Sequence, residues 1–155
     1  MSCRLSDIAT YVNERVSISK LTLKTYVSTE NMIPNKGGIT VSSGLPAIST
    51  TQAFKQGDVL VSNIRPYFKK IWVAEYDGGC SNDVLVFRPK EGIASSEFLY
   101  LVLSDDAFFD YMMAGSKGTK MPRGDRKAII DYPISDFAIS HQDQITRILI
   151  CALKR

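Results

Sequence analysis

Apolar residues at Leu5, Ile8, Val12 and Val16 recur at helical spacing, which predicts a short helix over residues 5–16, begun by Ser6 or Asp7. Over 21–32 the alternation is uneven and Thr, Val and Tyr dominate, so a strand is expected. Asn35, Gly37 and Gly38 mark 34–43 as a turn-rich excursion. The clearest pattern follows: three β runs at 58–64, 69–76 and 83–87, separated by Arg65-Pro66-Tyr67 and Asp77-Gly78-Gly79. Links this short cannot carry parallel crossovers, so an antiparallel meander is predicted.

Beyond Pro89 the period changes to that of helices. Ser95 or Ser96 is placed to cap, and Glu97 lies in the first turn, where the helix dipole favours a carboxylate. Phe98, Leu101 and Val102 form an apolar face. A second helix restarts at Asp105 or Asp106, buries Phe108, Phe109, Met112 and Met113, and ends at Gly115. A short apolar stretch at 128–132 precedes Pro133, and a last helical segment is expected over 142–153, with Ile145, Ile148, Leu149 and Ala152 on one side. Strands first and helices later point to a mixed α+β domain.

A chain of 155 residues, 45% hydrophobic and 23% charged, has apolar material for one domain and not for two. No apolar run approaches the roughly 20 residues of a membrane-spanning helix, and residues 1–7 do not read as a signal peptide, so a cytoplasmic protein without membrane contact is expected. Cys3, Cys80 and Cys151 are too far apart for a zinc knuckle or a disulfide framework and read as reduced thiols. His141 alone supports neither a metal cluster nor a histidine triad. Gly115-Ser116-Lys117-Gly118-Thr119-Lys120 lacks the Walker spacing and follows a helix instead of a strand. Asn63-Ile64-Arg65-Pro66-Tyr67 is not the catalytic tetrad of a DNA methyltransferase, and no acidic cluster has nuclease spacing. The reading is of a non-enzymatic chain with no cofactor and no metal.

Charge changes the picture. The net charge is +3, yet residues 115–127 hold Lys117, Lys120, Arg123, Arg126 and Lys127 against Asp125 alone, a balance of +4 that leaves −1 for everything else. So concentrated a patch points to a polyanionic partner; the alternative is a merely solvated loop. Asp125 is placed to orient Arg123 or Arg126. A second donor-rich segment, Asn63 to Lys70, closes the central hairpin and mixes Asn63, Arg65, Lys69 and Lys70 with Tyr67 and Phe68. Arginine and asparagine pair with base edges and lysine mainly with phosphates, whereas an ordinary hairpin end would tuck both rings into the core. The candidate DNA-binding residues are therefore Asn63, Arg65, Lys69, Lys70, Lys117, Lys120, Arg123 and Arg126, with Arg65 or Arg123 reading bases.

Four blocks, in this order and spacing, carry a resemblance: Leu5-Ser6-Asp7-Ile8-Ala9; Gly57-Asp58-Val59-Leu60-Val61-Ser62-Asn63-Ile64-Arg65-Pro66; Cys80-Ser81-Asn82-Asp83-Val84-Leu85-Val86-Phe87; and the run from Ala114 to Asp125. Residues 5–150 resemble a target-recognition domain of HsdS-type specificity subunits of type I restriction-modification systems. The resemblance implies an antiparallel or mixed sheet with packed helices over 1–138, and the start of a coiled-coil spacer helix over 139–155. That helix would offer Ile145, Ile148 and Leu149 to a partner or a second copy. It further implies a domain that reads one half of a split target in double-stranded DNA and docks a methyltransferase subunit, through which a restriction subunit joins. Family members carry two such domains and a long spacer; here one domain is followed by only about 20 Å of helix at ~1.5 Å per residue. The expectation is a half-subunit that pairs with itself or with a second half, a recombination cassette, or a truncated or expressed fragment. The competing reading is a docking or decoy module for a methyltransferase subunit that does not bind DNA.

Overall fold

Successive residues of the central apolar runs go to two different cores. The computed structural model describes residues 3–135 together with 138, 141 and 142. The chain opens with β1 (Cys3–Arg4), the one-turn α1 (Leu5–Ile8), β2 (Ala9–Tyr11), β3 (Arg15–Ser17), β4 (Tyr26–Val27) and β5 (Thr50–Phe54). It continues through β6 (Val59–Ser62), β7 (Ile71–Val73), β8 (Gly78–Cys80) and β9 (Val84–Pro89). The helices α2 (Ser96–Leu103), α3 (Asp106–Ala114) and α4 (Arg126–Ile129) follow, and β10 (Pro133–Ile134) returns to pair with β1.

The strands form two four-stranded sheets, ordered β2-β9-β6-β7 and β3-β5-β8-β4. Val59, Val61, Ile71, Leu85 and Phe87 project from the first sheet onto Phe98, Leu99, Phe108, Phe109 and Met112 of α2 and α3. Leu60, Trp72, Val84 and Val86 project from the other face onto Val27, Phe54 and Cys80 of the second sheet. The molecule is thus layered helix, sheet, sheet. A strand covered on both faces loses its polar alternation, which is why Val84-Leu85-Val86-Phe87 is apolar throughout. Each such side chain contributes about 1.5–3 kcal/mol on burial. The expected α+β class with mixed sheets is what forms, since β4 runs parallel to β8 while the other pairs are antiparallel.

The two helices expected between Ser95 and Gly115 form with the predicted caps, while the segment expected over 142–153 lies almost wholly outside the described residues. Ser95 Oγ accepts from Phe98 N at 3.1 Å and Asp105 Oδ1 from Ala107 N at 3.0 Å. Elsewhere the expectations need correction. The helix expected over 5–16 ends at Ile8; Ala9 turns extended and residues 9–11 pair with β9. Leu5 and Ile8 lie on the one-turn α1 and belong to one core, while Val12, just past β2, belongs to the other, so the helical spacing joins a short helix to extended chain. Of 21–32 only Tyr26 and Val27 are strand, because Thr22 and Thr25 fold the preceding segment into a turn, Thr25 Oγ1 accepting from Thr22 N at 2.8 Å. The meander also fails as drawn. β6 and β7 form the predicted hairpin, but β9 lies on the opposite side of β6, while 77–80 leaves the sheet altogether. Gly78 and Gly79 are strand and not turn. A side chain at Gly78 would strike the Phe54 ring at 2.7 Å, and one at Gly79 would strike Leu21 at 2.8 Å. Glycine here serves close packing. Among the described residues no helix is long and apolar enough to cross a membrane.

Candidate nucleic-acid interface

Beyond β6 the chain does not turn directly into β7. Arg65 enters the left-handed region at φ 49°, Pro66–Phe68 make one 3-10 turn, and Lys69 leaves through φ 53°. Two other segments hold this tip in place. Residues 117–123 form a small antiparallel bridge of their own, with Lys117 and Arg123 exchanging backbone bonds at 3.0 Å. The same segment lies alongside the tip: Arg65 N donates to Pro122 O at 2.8 Å and Gly124 N to Asn63 O at 3.3 Å, while Ile64 bridges Arg123. On another side, Asn35 N donates to Phe68 O at 2.8 Å and Lys36 N to Lys69 O at 2.7 Å.

Asn35, Lys36, Arg65 and Lys69 are all the non-glycine residues with positive φ among the described residues, and all four meet at this tip. Each such conformation costs an L-residue roughly 1–2 kcal/mol and persists only where its surroundings over-determine it. The convergence is therefore built, not incidental. Gly124 makes it possible: a Cβ there would come within 2.8 Å of both Asn63 Oδ1 and Ile129 Cδ1.

Side chains distribute unequally over the surface. Lys117 and Lys120 are exposed, and neither is paired with a carboxylate among the described residues. Lys36 and Lys69 both reach Asp106 Oδ1 at 3.0 Å, and these two ammonium groups hold the Asp106 carboxyl below the usual carboxylate range. Lys70 donates to Thr29 O at 2.7 Å and lies 5.5 Å from the Phe68 ring; burial draws its ammonium pKa down. Arg65 Nε donates to Lys120 O at 3.3 Å. Tyr67, Phe68 and Met121 stand 46%, 37% and 48% exposed beside these cations, so the two rings are not tucked into the core. Glu30, Ile64, Arg65, Phe68, Lys70 and Met121 bound a cleft of about 240 Å³. The arrangement offers ammonium groups, a guanidinium edge and aromatic faces on one surface.

No family model matches the chain. A 99-residue stretch, 64% of the chain, is 27% identical to the type I restriction enzyme EcoDI specificity subunit of Escherichia coli, of which it spans 22%. The whole chain superposes on the HsdS subunit from Thermoanaerobacter tengcongensis with a TM-score of 0.74 at 22% identity, covering 42% of that chain. The chain has the fold of this HsdS subunit. The S subunit of a type I restriction-modification system from M. genitalium has the same fold, with a TM-score of 0.64 at 13% identity over 97% of this chain and 38% of its own.

Within this fold the candidate residues separate. Arg65, Lys69, Lys70, Lys117, Lys120 and Arg123 come together at the tip. Asn63 is buried, and its amide donates to Gly124 O at 3.2 Å, so it ties the segments together. Arg126 instead packs 4.6 Å from the Tyr11 ring, and Tyr11 donates its hydroxyl to Arg126 O at 2.8 Å. Among the described residues Asp125 makes no ion pair with either arginine; it caps α4 by accepting from Lys127 N at 3.0 Å, while Arg123 pairs with Asp83 at 3.3 Å. Ile145, Ile148 and Leu149 lie outside the described residues, as does Cys151. Among the described residues no group of three or more His, Cys, Asp or Glu side chains could hold a metal. Sequence reasoning missed Asn35, Lys36 and Glu30. The Asn-Lys-Gly-Gly run was a legible turn signal, but nothing local says which distant strand end that turn meets.

Proposed function

We propose that this chain is a non-catalytic, sequence-specific DNA-recognition module that reads one half of a bipartite duplex target, as the specificity component of a type I restriction-modification system. The observation that carries the reading is the backbone bond from Arg65 N to Pro122 O, because it fuses the hairpin tip and the basic segment into one cationic surface. Lys117 and Lys120 contact phosphates, with Lys69 and Lys70 beside them, and Arg65 or Arg123 reads base edges. The relative named as a specificity subunit supports the same reading, and with it partnership with a methyltransferase subunit and, through that, a restriction subunit. About five neutralised phosphates give a log–log salt slope near −4 to −5.

The test is duplex affinity against salt for the chain and for its Lys117→Ala/Lys120→Ala variant. The variant binds every duplex more weakly, and its slope is shallower by about 2. An unchanged affinity and slope remove the segment from the interface. Wild-type protein indifferent to duplex DNA, yet bound by a methyltransferase subunit, returns the docking reading.

A further inference from the structure

We infer that the cleft at the tip reads one G·C base pair in the major groove, with Arg65 donating to guanine and Glu30 accepting from cytosine. The inference rests on the DNA-recognition reading and adds the base pair and a carboxylate to it. Arg65 has its backbone fixed at φ 49° and its Nε committed to Lys120 O at 3.3 Å, which leaves the two terminal guanidinium nitrogens as its outward edge. Glu30 is exposed and lines the same cleft. Among the described residues neither side chain is in an ion pair, so a two-nitrogen donor edge and an acceptor stand side by side with their capacity unspent. Lys70 is a positioning residue: its ammonium holds Thr29 O at 2.7 Å and so fixes the chain next to Glu30.

Read across the major groove from the purine, G·C presents acceptor, acceptor, donor at N7, O6 and N4. The cleft presents donor, donor, acceptor. An A·T pair presents acceptor, donor, acceptor, which sets one guanidinium N–H against an amino group and the Glu30 carboxylate against a carbonyl. Phe68 and Met121 wall the cleft with apolar surface, so an unmatched polar group there loses water without gaining a partner. A carboxylate brought among phosphates weakens binding to every sequence unless it finds a donor. Glu30 therefore acts chiefly by rejecting the wrong pair.

The experiment selects from a randomised duplex library with the full chain at about 50 mM salt, where phosphate contacts are strong. Glu30→Ala, Glu30→Gln, Arg65→Ala and Arg65→Lys run in parallel, and Trp72 fluorescence checks that each is folded. Wild type yields a position where G·C is preferred about five- to hundredfold. Both Glu30 variants lose that preference while binding other duplexes equally or more tightly, and both Arg65 variants lose it with weaker binding. A Glu30→Ala profile identical to wild type at every position overturns the inference and leaves DNA recognition standing, as does a wild-type profile without a G·C position. Wild type that shows no salt-dependent duplex binding overturns both.

Discussion

Arg65 combines a strained backbone and a side-chain bond to one neighbouring segment with a half-exposed guanidinium, all in one residue. Asp58 works in the opposite sense. It is 1% exposed, accepts from Arg88 Nε at 2.8 Å and Nη2 at 2.9 Å, and also accepts from Lys55 N at 2.8 Å. Arg88 extends the network to Glu14 at 2.8 Å, and its guanidinium holds the Glu14 carboxyl below the usual range. Asp58 is thus a structural acid that braces the start of β6 against the end of β9. Asp58→Asn removes the charge and leaves a guanidinium half-paired. We expect a loss of about 2–4 kcal/mol, less than for a fully buried pair because Arg88 retains some water. The same substitution leaves base preference unchanged in whatever protein remains folded. Urea unfolding and duplex selection measure the two effects separately.

At the scale of elements, α2 and α3 were legible in the sequence because their caps are local: a serine or aspartate answers an N–H two or three residues on. The central hairpin was legible for the same reason. The order of the sheet was not, since β9 crosses to the far side of β6 only because the intervening residues add a strand to a second sheet. Glycines that pack closely look the same in sequence as glycines that turn. The first turn of α3 carries a prediction of its own. Asp106 ties the 33–39 turn to the hairpin tip through Lys36 and Lys69. Ionised at neutral pH like any aspartate, it is held below the usual carboxylate range by Lys69 and Lys36, so these pairs persist into acid and are lost only as the pH falls through the lowered value. Asp106→Asn frees two ammonium groups beside the proposed interface. Duplex affinity at low salt then rises about threefold, the order expected for removing one like charge near the phosphates at a high-dielectric surface. Fluorescence polarisation reads the change, and unchanged or weaker binding speaks against the tip as the site.

At the scale of the whole molecule, two sheets and a helical layer hold three segments distant in sequence at one end of a β ribbon. The concentration of charge over 115–127 was visible from composition, as was the mixture of donors in Asn63 to Lys70. Their contact was not visible, because it runs through backbone groups: Arg65 N to Pro122 O, and Gly124 N to Asn63 O. Nor could the sequence say that Asn63 would be spent on holding the surface together while Lys117 and Lys120 stay exposed. The central claim is that this composite tip is the face that meets DNA. Amide hydrogen exchange of the full chain, with and without a selected duplex at low salt, tests it most directly. Slowed exchange is expected only at residues 29–31, 35–36, 64–70 and 116–124, with β3 and β5 at the far edge of the second sheet unaffected. Slowed exchange at β3 and β5, with none at the tip, would contradict it.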